Sequence, residues 1–188
     1  MKRCAALVVC SCALIWPASA EAQTHISYVG LFTPHIGLTT GGDVEDPSAT
    51  PGASLAVIES RGWGVELDVA HAVSLGDDAF HESGLTSAMI NVLYLSPRPG
   101  IQPFGVAGAG LLRLTGVRTP AGGSDGQTDL GVMLGGGVHL PVTEAVGLRG
   151  DLRYLRFLRS HPEVPVGGGA FSTWRLSVGV TLNFPLEP

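Results

Sequence analysis

The chain has 188 residues, enough for one domain, and it carries a formal net charge of −5 with only 14% charged residues. A soluble domain usually has about 25% charged residues, so this composition argues against an ordinary soluble domain. The acidic balance offers no basic patch, which excludes nucleic acid as an expected partner. The mean hydropathy is +0.30. Because no apolar segment of membrane-spanning length follows the first 22 residues, a membrane location would require strands.

The first 22 residues have the layout of a secretory signal peptide. Lys2 and Arg3 provide the positive start, an apolar run covers residues 5–16, and Pro17 ends that run. Small residues then lead to a cleavage position near Ala22. The run is too short to span a bilayer comfortably as a helix, which disfavours the alternative of a retained membrane anchor.

All three cysteines lie in this segment, at Cys4, Cys10 and Cys12. Cleavage would leave a mature chain, residues 23–188, that contains no thiol. This excludes disulfides, thiolate metal sites and a cysteine nucleophile from the mature domain.

Period-two alternation predicts eight strands in the mature chain, with apolar and polar side chains on opposite faces. Three patterns are weak, and Pro34 in the first of them suits a strand start, a bulge or an edge. In the last strand every even position from Trp174 to Phe184 is apolar. In chain order, the predicted strands cover residues 26–38, 52–59, 63–71, 85–95, 103–115, 129–142, 146–154 and 174–184.

The connections between these strands alternate in length. The short ones cover residues 60–62, 96–100 and 143–145, and the longer ones cover 39–51, 74–84, 116–126 and 160–170. This alternation is typical of a closed up-and-down barrel, in which the strand ending at Phe184 pairs with the strand starting near Ile26. The glycine runs 105–110 and 135–137 lie inside strands with no following helix, so we interpret them as relief of crowding rather than as phosphate loops.

Alternation alone leaves open whether the apolar face points to lipid or to the interior. The polar face lacks the dense lysine and glutamate of a solvated exterior, which favours a membrane barrel with its apolar face outward. A soluble secreted or periplasmic lipocalin-like barrel that binds an apolar ligand remains the alternative. Aromatic residues near the strand ends predict a girdle. The girdle residues are Trp63, Tyr94, Phe104 and Phe184 toward the short turns, and Tyr154 and Trp174 toward the long loops.

The polar face would then line a narrow lumen. Eight strands leave just enough room for side chains, and buried charges there must be paired. We therefore predict a plug of salt bridges without a wide pore, in which Arg149 or Arg153 pairs with Glu66 or Asp68. A gated ion path or a proton relay is the alternative. The predicted charge network consists of Glu66, Asp68, Arg113, Asp129, Arg149, Asp151, Arg153 and Arg175.

Residues 91–94, the turn at 97–100 and the run 103–110 resemble the outer-membrane β-barrel-domain family of small OmpA- or OmpX-like barrels. The resemblance implies an all-β, eight-stranded antiparallel transmembrane barrel in the cell outer membrane, surrounded by lipids and lipopolysaccharide. It also implies that the barrel-assembly machinery recognises the C-terminal strand. Family members usually end on an aromatic residue, whereas residues 185–188 follow Phe184 here.

The sequence shows no catalytic constellation. His25 and Ser27 match the His-x-Ser spacing of one lipid A deacylase family, but no companion motif accompanies them. The remaining histidines are scattered, and the acidic residues near 43–46 and 77–82 are interpreted as a solvated rim rather than a cation site. We therefore predict no enzyme activity, cofactor or metal, and a structural or surface-interaction role whose extracellular partner the sequence does not name.

Overall fold

The computed structural model describes residues 27–73, 84–118, 124–158 and 171–186. Each strand is antiparallel to the next, and β8 pairs with β1, so the eight strands close into a barrel. No helix in these residues is long and apolar enough to cross a membrane. The strands are β1 Tyr28–Gly41, β2 Val44–Glu59, β3 Trp63–Ala72, β4 Gly84–Leu95, β5 Gln102–Arg118, β6 Ser124–Pro141, β7 Val146–Phe157 and β8 Ser172–Leu186.

The predicted topology is confirmed. Phe184 of β8 pairs with Gly30 near the start of β1, which is the closing contact expected from the sequence. The proposed signal peptide and the acidic residues at 77–82 lie outside the described residues.

The first predicted long loop is wrong, because β1 and β2 form one extended hairpin with a tight turn. Gly41 and Gly42 adopt positive φ angles of 70° and 67°, a conformation that glycine enters without steric penalty. Asp43 then ties the turn to β8, since its Oδ2 accepts a hydrogen bond from the Ser172 amide at 2.7 Å. The prolines at 47 and 51 had suggested a loop, yet both lie within β2. The predicted loop at 116–126 is also shorter, since β5 extends to Arg118 and β6 begins at Ser124.

Pro34 lies in the middle of β1, contrary to the expectation of an edge, a bulge or a strand start. A closed barrel has no edge, so the ladder itself accommodates the missing amide hydrogen. Pairing with β8 runs up to Phe32–Leu182 and resumes at His35–Gly179. A Cβ at Gly179 would approach the Pro34 carbonyl oxygen to 2.5 Å, so glycine allows the strands to come close at this point.

The outer surface carries an apolar belt. Seven apolar side chains on the alternating strands β6, β7 and β8 are all exposed, from 36% for Val132 to 65% for Leu134, as the predicted outward apolar face requires. This confirms the membrane orientation and makes the lipocalin-like alternative wrong, because that alternative requires these side chains to be buried inside. The seven residues are Val132, Leu134, Leu148, Leu152, Leu176, Val178 and Val180.

The lumen is filled in layers. Apolar clusters occupy its two ends. Between these clusters, the inward positions of β5 run from Val106 through Gly108 and Gly110 to Leu112. The lower cluster, at the short-turn end, is Leu31, Ala56, Ile58, Leu93, Phe104 and Val106. The upper cluster, at the long-loop end, is Val44, Ala72, Leu85, Met89, Leu112, Leu114, Met133, Leu155 and Phe157. The middle layer is polar and holds the candidate site.

Candidate functional site

The middle of the lumen contains a buried, charge-balanced network. Three arginines from β7 and β8 meet three carboxylates from β3 and β7, and none of the six residues is more than 6% exposed. Alternation on each strand places these side chains inward, and the outward positions between them belong to the apolar belt. The six residues are Glu66, Asp68, Arg149, Asp151, Arg153 and Arg175.

Arg153 is the centre of this network. Its Nη1 lies 3.0 Å from Glu66 Oε1 and 3.2 Å from Asp68 Oδ2, and its Nε lies 3.0 Å from Asp151 Oδ1. One guanidinium therefore joins carboxylates from opposite walls of the barrel. The planar fork of donors in arginine suits it to this kind of multiple pairing.

The other two arginines extend the network on either side. Arg149 Nη2 lies 2.7 Å from Glu66 Oε2, and its Nε lies 3.2 Å from Asp151 Oδ2. Its guanidinium also stacks 4.2 Å from the ring centroid of Phe104 in the lower cluster, a cation–π contact. Arg175 Nη2 lies 2.6 Å from Asp68 Oδ1.

Three further polar side chains complete the network, and the sequence alone did not identify them. Asn91 Nδ2 donates to Glu66 Oε1 at 3.1 Å, and Ser177 Oγ donates to Asp151 Oδ1 at 2.7 Å. His35 Nε2 lies 3.3 Å from Asp68 Oδ2. Asn91 and Ser177 are the direct cross-strand partners of the residues they bind, so a correct strand register would have found both.

Glycines provide the volume that these long side chains occupy. A Cβ at Gly108 would collide with the Asn91 side chain, and one at Gly135 would lie 2.9 Å from Arg153 Cγ. At Gly137 the added atom would lie 2.7 Å from Asp151 Cβ. The glycine runs of β5 and β6 therefore relieve crowding, as the sequence predicted.

Three of the predicted positions need correction or closer description. Arg113 is exposed on the outer face, and Phe104 is only 7% exposed and points inward, so both were assigned to the wrong face. The reason is that β5 is apolar on both faces, so its alternation does not identify the outward side. Asp129 lies half-buried on the inward side of β6, four residues before Met133 of the upper cluster.

The other predicted girdle residues form two groups on the outer face. Trp63 packs on Tyr94 near the short turns, and Tyr154 packs on Trp174 near the long loops, each pair with ring centroids 5.0 Å apart. Phe184 is 37% exposed, and its ring covers Gly30, where any side chain would collide with it. Aromatic residues at both ends of an apolar belt are typical of membrane-spanning barrels.

Among the described residues, no group of three or more histidine, cysteine, aspartate or glutamate side chains is placed to hold a metal ion. The lumen carboxylates are instead bound by arginines. A closed barrel with an apolar belt, aromatic ends and a polar interior defines the class of outer-membrane β-barrels.

Comparison with known proteins places the chain within that class. Residues 4–184 match the family model "Outer membrane protein beta-barrel domain", so the chain belongs to this family and resides in the outer membrane. No curated protein matches the chain.

Several solved structures share the fold. Neisserial surface protein A has a TM-score of 0.64 at 18% identity, covering 84% of this chain and 97% of that one. The N-terminal β-barrel domain of Pseudomonas aeruginosa OprF has a TM-score of 0.60 at 16% identity, covering 83% and 97%. The Yersinia pestis attachment invasion locus protein Ail, crystallised with the heparin analogue sucrose octasulfate, has a TM-score of 0.55 at 10% identity, covering 84% and 99%.

Proposed function

We propose that this protein is a closed outer-membrane barrel with a structural or surface-interaction role, whose lumen is plugged by the buried charge network. The observation that carries the proposal is the position of Arg153, which joins Glu66, Asp68 and Asp151 across the lumen. The protein then has no wide pore, no cofactor and no catalytic activity.

Two features support the plug. An ion that crossed the middle layer would have to separate buried ion pairs, and separating such a pair costs several kcal/mol, about 3–5 when one partner is removed. The ion would also have to pass the apolar clusters above and below, where it would lose its hydration without gaining a polar partner. A narrow eight-stranded lumen filled in this way favours a closed state.

Two measurements test the plug: the energetic coupling between two of its residues, and the conductance of a variant that lacks both. We expect Glu66→Ala and Arg149→Ala to be coupled in a double-mutant cycle by an amount on the order of 0.5–3 kcal/mol, because the two side chains pair directly. Unfolding by urea in detergent measures the coupling. In planar bilayers the wild-type protein should show no channel activity, and the double variant should show discrete conductance steps.

The matched control is Glu59→Ala combined with Arg61→Ala, which removes the same charges near a short turn, outside the network. That pair should give neither coupling nor conductance. Coupling near zero for Glu66 with Arg149, or channels in the wild-type protein as large as those in the double variant, would contradict the plug.

If the lumen is closed, the protein acts through its outer surface and its loops. We propose that the protein contacts outer-membrane lipids and lipopolysaccharide along its belt and an extracellular partner through its long-loop end. Ail, which shares the fold, was crystallised with a heparin analogue. At 10% identity that likeness concerns the fold alone, so the partner of this chain has to be found by experiment.

We also propose that the barrel-assembly machinery recognises β8 through Phe184. Its ring lies against Gly30, at the closing seam between β8 and β1. Phe184→Ala should slow the appearance of the heat-modifiable folded form in pulse-labelled cells, whereas Phe32→Ala, also an exposed aromatic on the belt, should not. If both variants were delayed equally, the loss of apolar surface would explain the slower folding, and recognition of Phe184 would not.

A further inference from the structure

A row of polar side chains crosses the outer surface near the long-loop end. His71 of β3 pairs with Thr86 of β4, Thr86 pairs with Arg113 of β5, and Arg113 pairs with Thr128 of β6. All four alternate with inward residues of the lumen and therefore face outward. His71 Nδ1 and Thr86 Oγ1 are already hydrogen-bonded at 2.9 Å.

A second outward cation lies on β7, where Arg156 pairs with Val132 of β6, four residues along that strand from Thr128. Arg156 is an exposed outward residue of β7, two positions beyond Tyr154, whose ring packs against Trp174 in the upper girdle. Arg113 likewise comes two positions beyond Leu111, the last apolar outward residue before it on β5. On β5, Arg113 therefore projects where the apolar belt ends toward the cell exterior, whereas after Arg156 of β7 the exposed Leu158 follows two positions further along the chain.

Within the part of the chain that the structure describes, these two cations have no counter-charge. Neither Arg113 nor Arg156 forms an ion pair with any residue that the structure describes, in contrast to the three arginines of the lumen. The described outward positions of β3 to β7 contain no carboxylate. The charge of this surface is thus available to an anionic group from outside.

We propose that this surface, defined by His71, Thr86, Arg113, Thr128 and Arg156, binds the phosphate groups of lipopolysaccharide in the outer leaflet. The inference deepens the proposed lipopolysaccharide contact by assigning it to named residues. Lipid A carries phosphates at the depth where the acyl chains end. Arginine pairs with phosphate through short, charge-assisted and often bidentate hydrogen bonds, and the threonine hydroxyls add further donors.

The free-energy cost of an outward arginine depends on its depth in the membrane. An outward arginine at the middle of a bilayer costs about 2–4 kcal/mol, but the cost falls to about 0–1 near the interface. The long arginine side chain can also lie along apolar surface while its charge reaches the headgroups. Arg113 and Arg156 lie on strands separated only by β6, at the positions of Thr128 and Val132 on that strand.

The experiment compares lipid binding by purified, folded barrels in detergent. Bisphosphorylated lipid A and its chemically dephosphorylated form are titrated separately, and bound lipid is counted by native mass spectrometry. The wild-type protein should prefer the phosphorylated form. The variant Arg113→Gln with Arg156→Gln should lose at least about tenfold of that affinity, as expected when charge-assisted contacts to phosphate are removed.

The matched control is Arg61→Gln with Arg98→Gln, which removes the same charge from exposed positions at the short-turn end. It should bind phosphorylated lipid A like the wild-type protein. If both double variants lost the same affinity, net charge would explain the effect and the site would be overturned. Equal binding of the phosphorylated and dephosphorylated lipids by the wild-type protein would also overturn it. None of the five residues lies in the lumen, so failure here leaves the coupling and conductance tests of the plug unaffected.

Discussion

Replacement of Arg153 by methionine should lower the free energy of unfolding by about 3–5 kcal/mol, the typical cost of leaving buried charges without their partner. Methionine retains an unbranched side chain but provides no charge and no donors. Arg149 and Arg175 would then be the arginines left to pair with Glu66, Asp68 and Asp151, in a buried layer between the two apolar clusters.

Urea titration of the folded barrel in detergent, followed by the mobility of unboiled samples, measures this loss. Arg113→Met is the matched control, since the same substitution on the outer face should change the free energy of unfolding by no more than about 0.5 kcal/mol. Adding Glu66→Gln to Arg153→Met should restore part of the stability, because it removes one of the orphaned charges. Equal losses for Arg153→Met and Arg113→Met would show that burial in the network has no energetic consequence.

The parts of the fold that the sequence predicted well are those where only one face is apolar. In β7 and β8 the apolar outward positions alternate with Arg149, Asp151, Arg153 and Arg175, so alternation identifies the strand and its two faces together. The charges on β3 and β7 could be placed opposite each other because both strands start from short turns and run in the same direction. Their pairing therefore followed from topology.

The two residues that were assigned to the wrong face, Phe104 and Arg113, both lie on β5. Between Phe104 and Leu112 both faces consist only of apolar residues and glycine, so the alternation does not distinguish the inward face from the outward face. Phe104 was assigned to the girdle and Arg113 to the lumen for that reason. The structure shows the opposite: Arg113 faces outward, and Phe104 points inward with its ring centroid 4.2 Å from the Arg149 guanidinium.

Other features depended on register or on turn geometry. His35 could be connected with Asp68 only through the register of β1, β2 and β3, in which Gly52 pairs with His35 on one side and with Ala70 on the other. The turn at Gly41 and Gly42 was not predicted, because Pro47 and Pro51 are residues that usually indicate a loop. In β2 these prolines are tolerated within the long hairpin.

The second large effect on the free energy of unfolding is expected from substitution of a lumen glycine in β6. Gly137→Ala should lower the free energy of unfolding by about 1–3 kcal/mol, the usual cost of overpacking a filled interior. The added methyl group would collide with the carbonyl oxygen of Gly150 and lie 2.8 Å from Asp151 Cα, so the backbone of β7 would have to move. Because β7 carries Arg149 and Arg153, this displacement would also disturb the charge network.

Gly105→Ala is the control for this substitution, since it adds the same methyl group on the neighbouring strand but on the outer face. No atom lies within 4 Å of the Cβ position there, and its φ angle is not in the left-handed region. The free energy of unfolding should be unchanged or higher by about 0.4–1 kcal/mol, through the lower entropy of the unfolded chain. Urea titration of both variants in the same detergent measures the difference. If the two substitutions had the same effect, strand propensity would explain the loss, and the crowded lumen beside Asp151 would not.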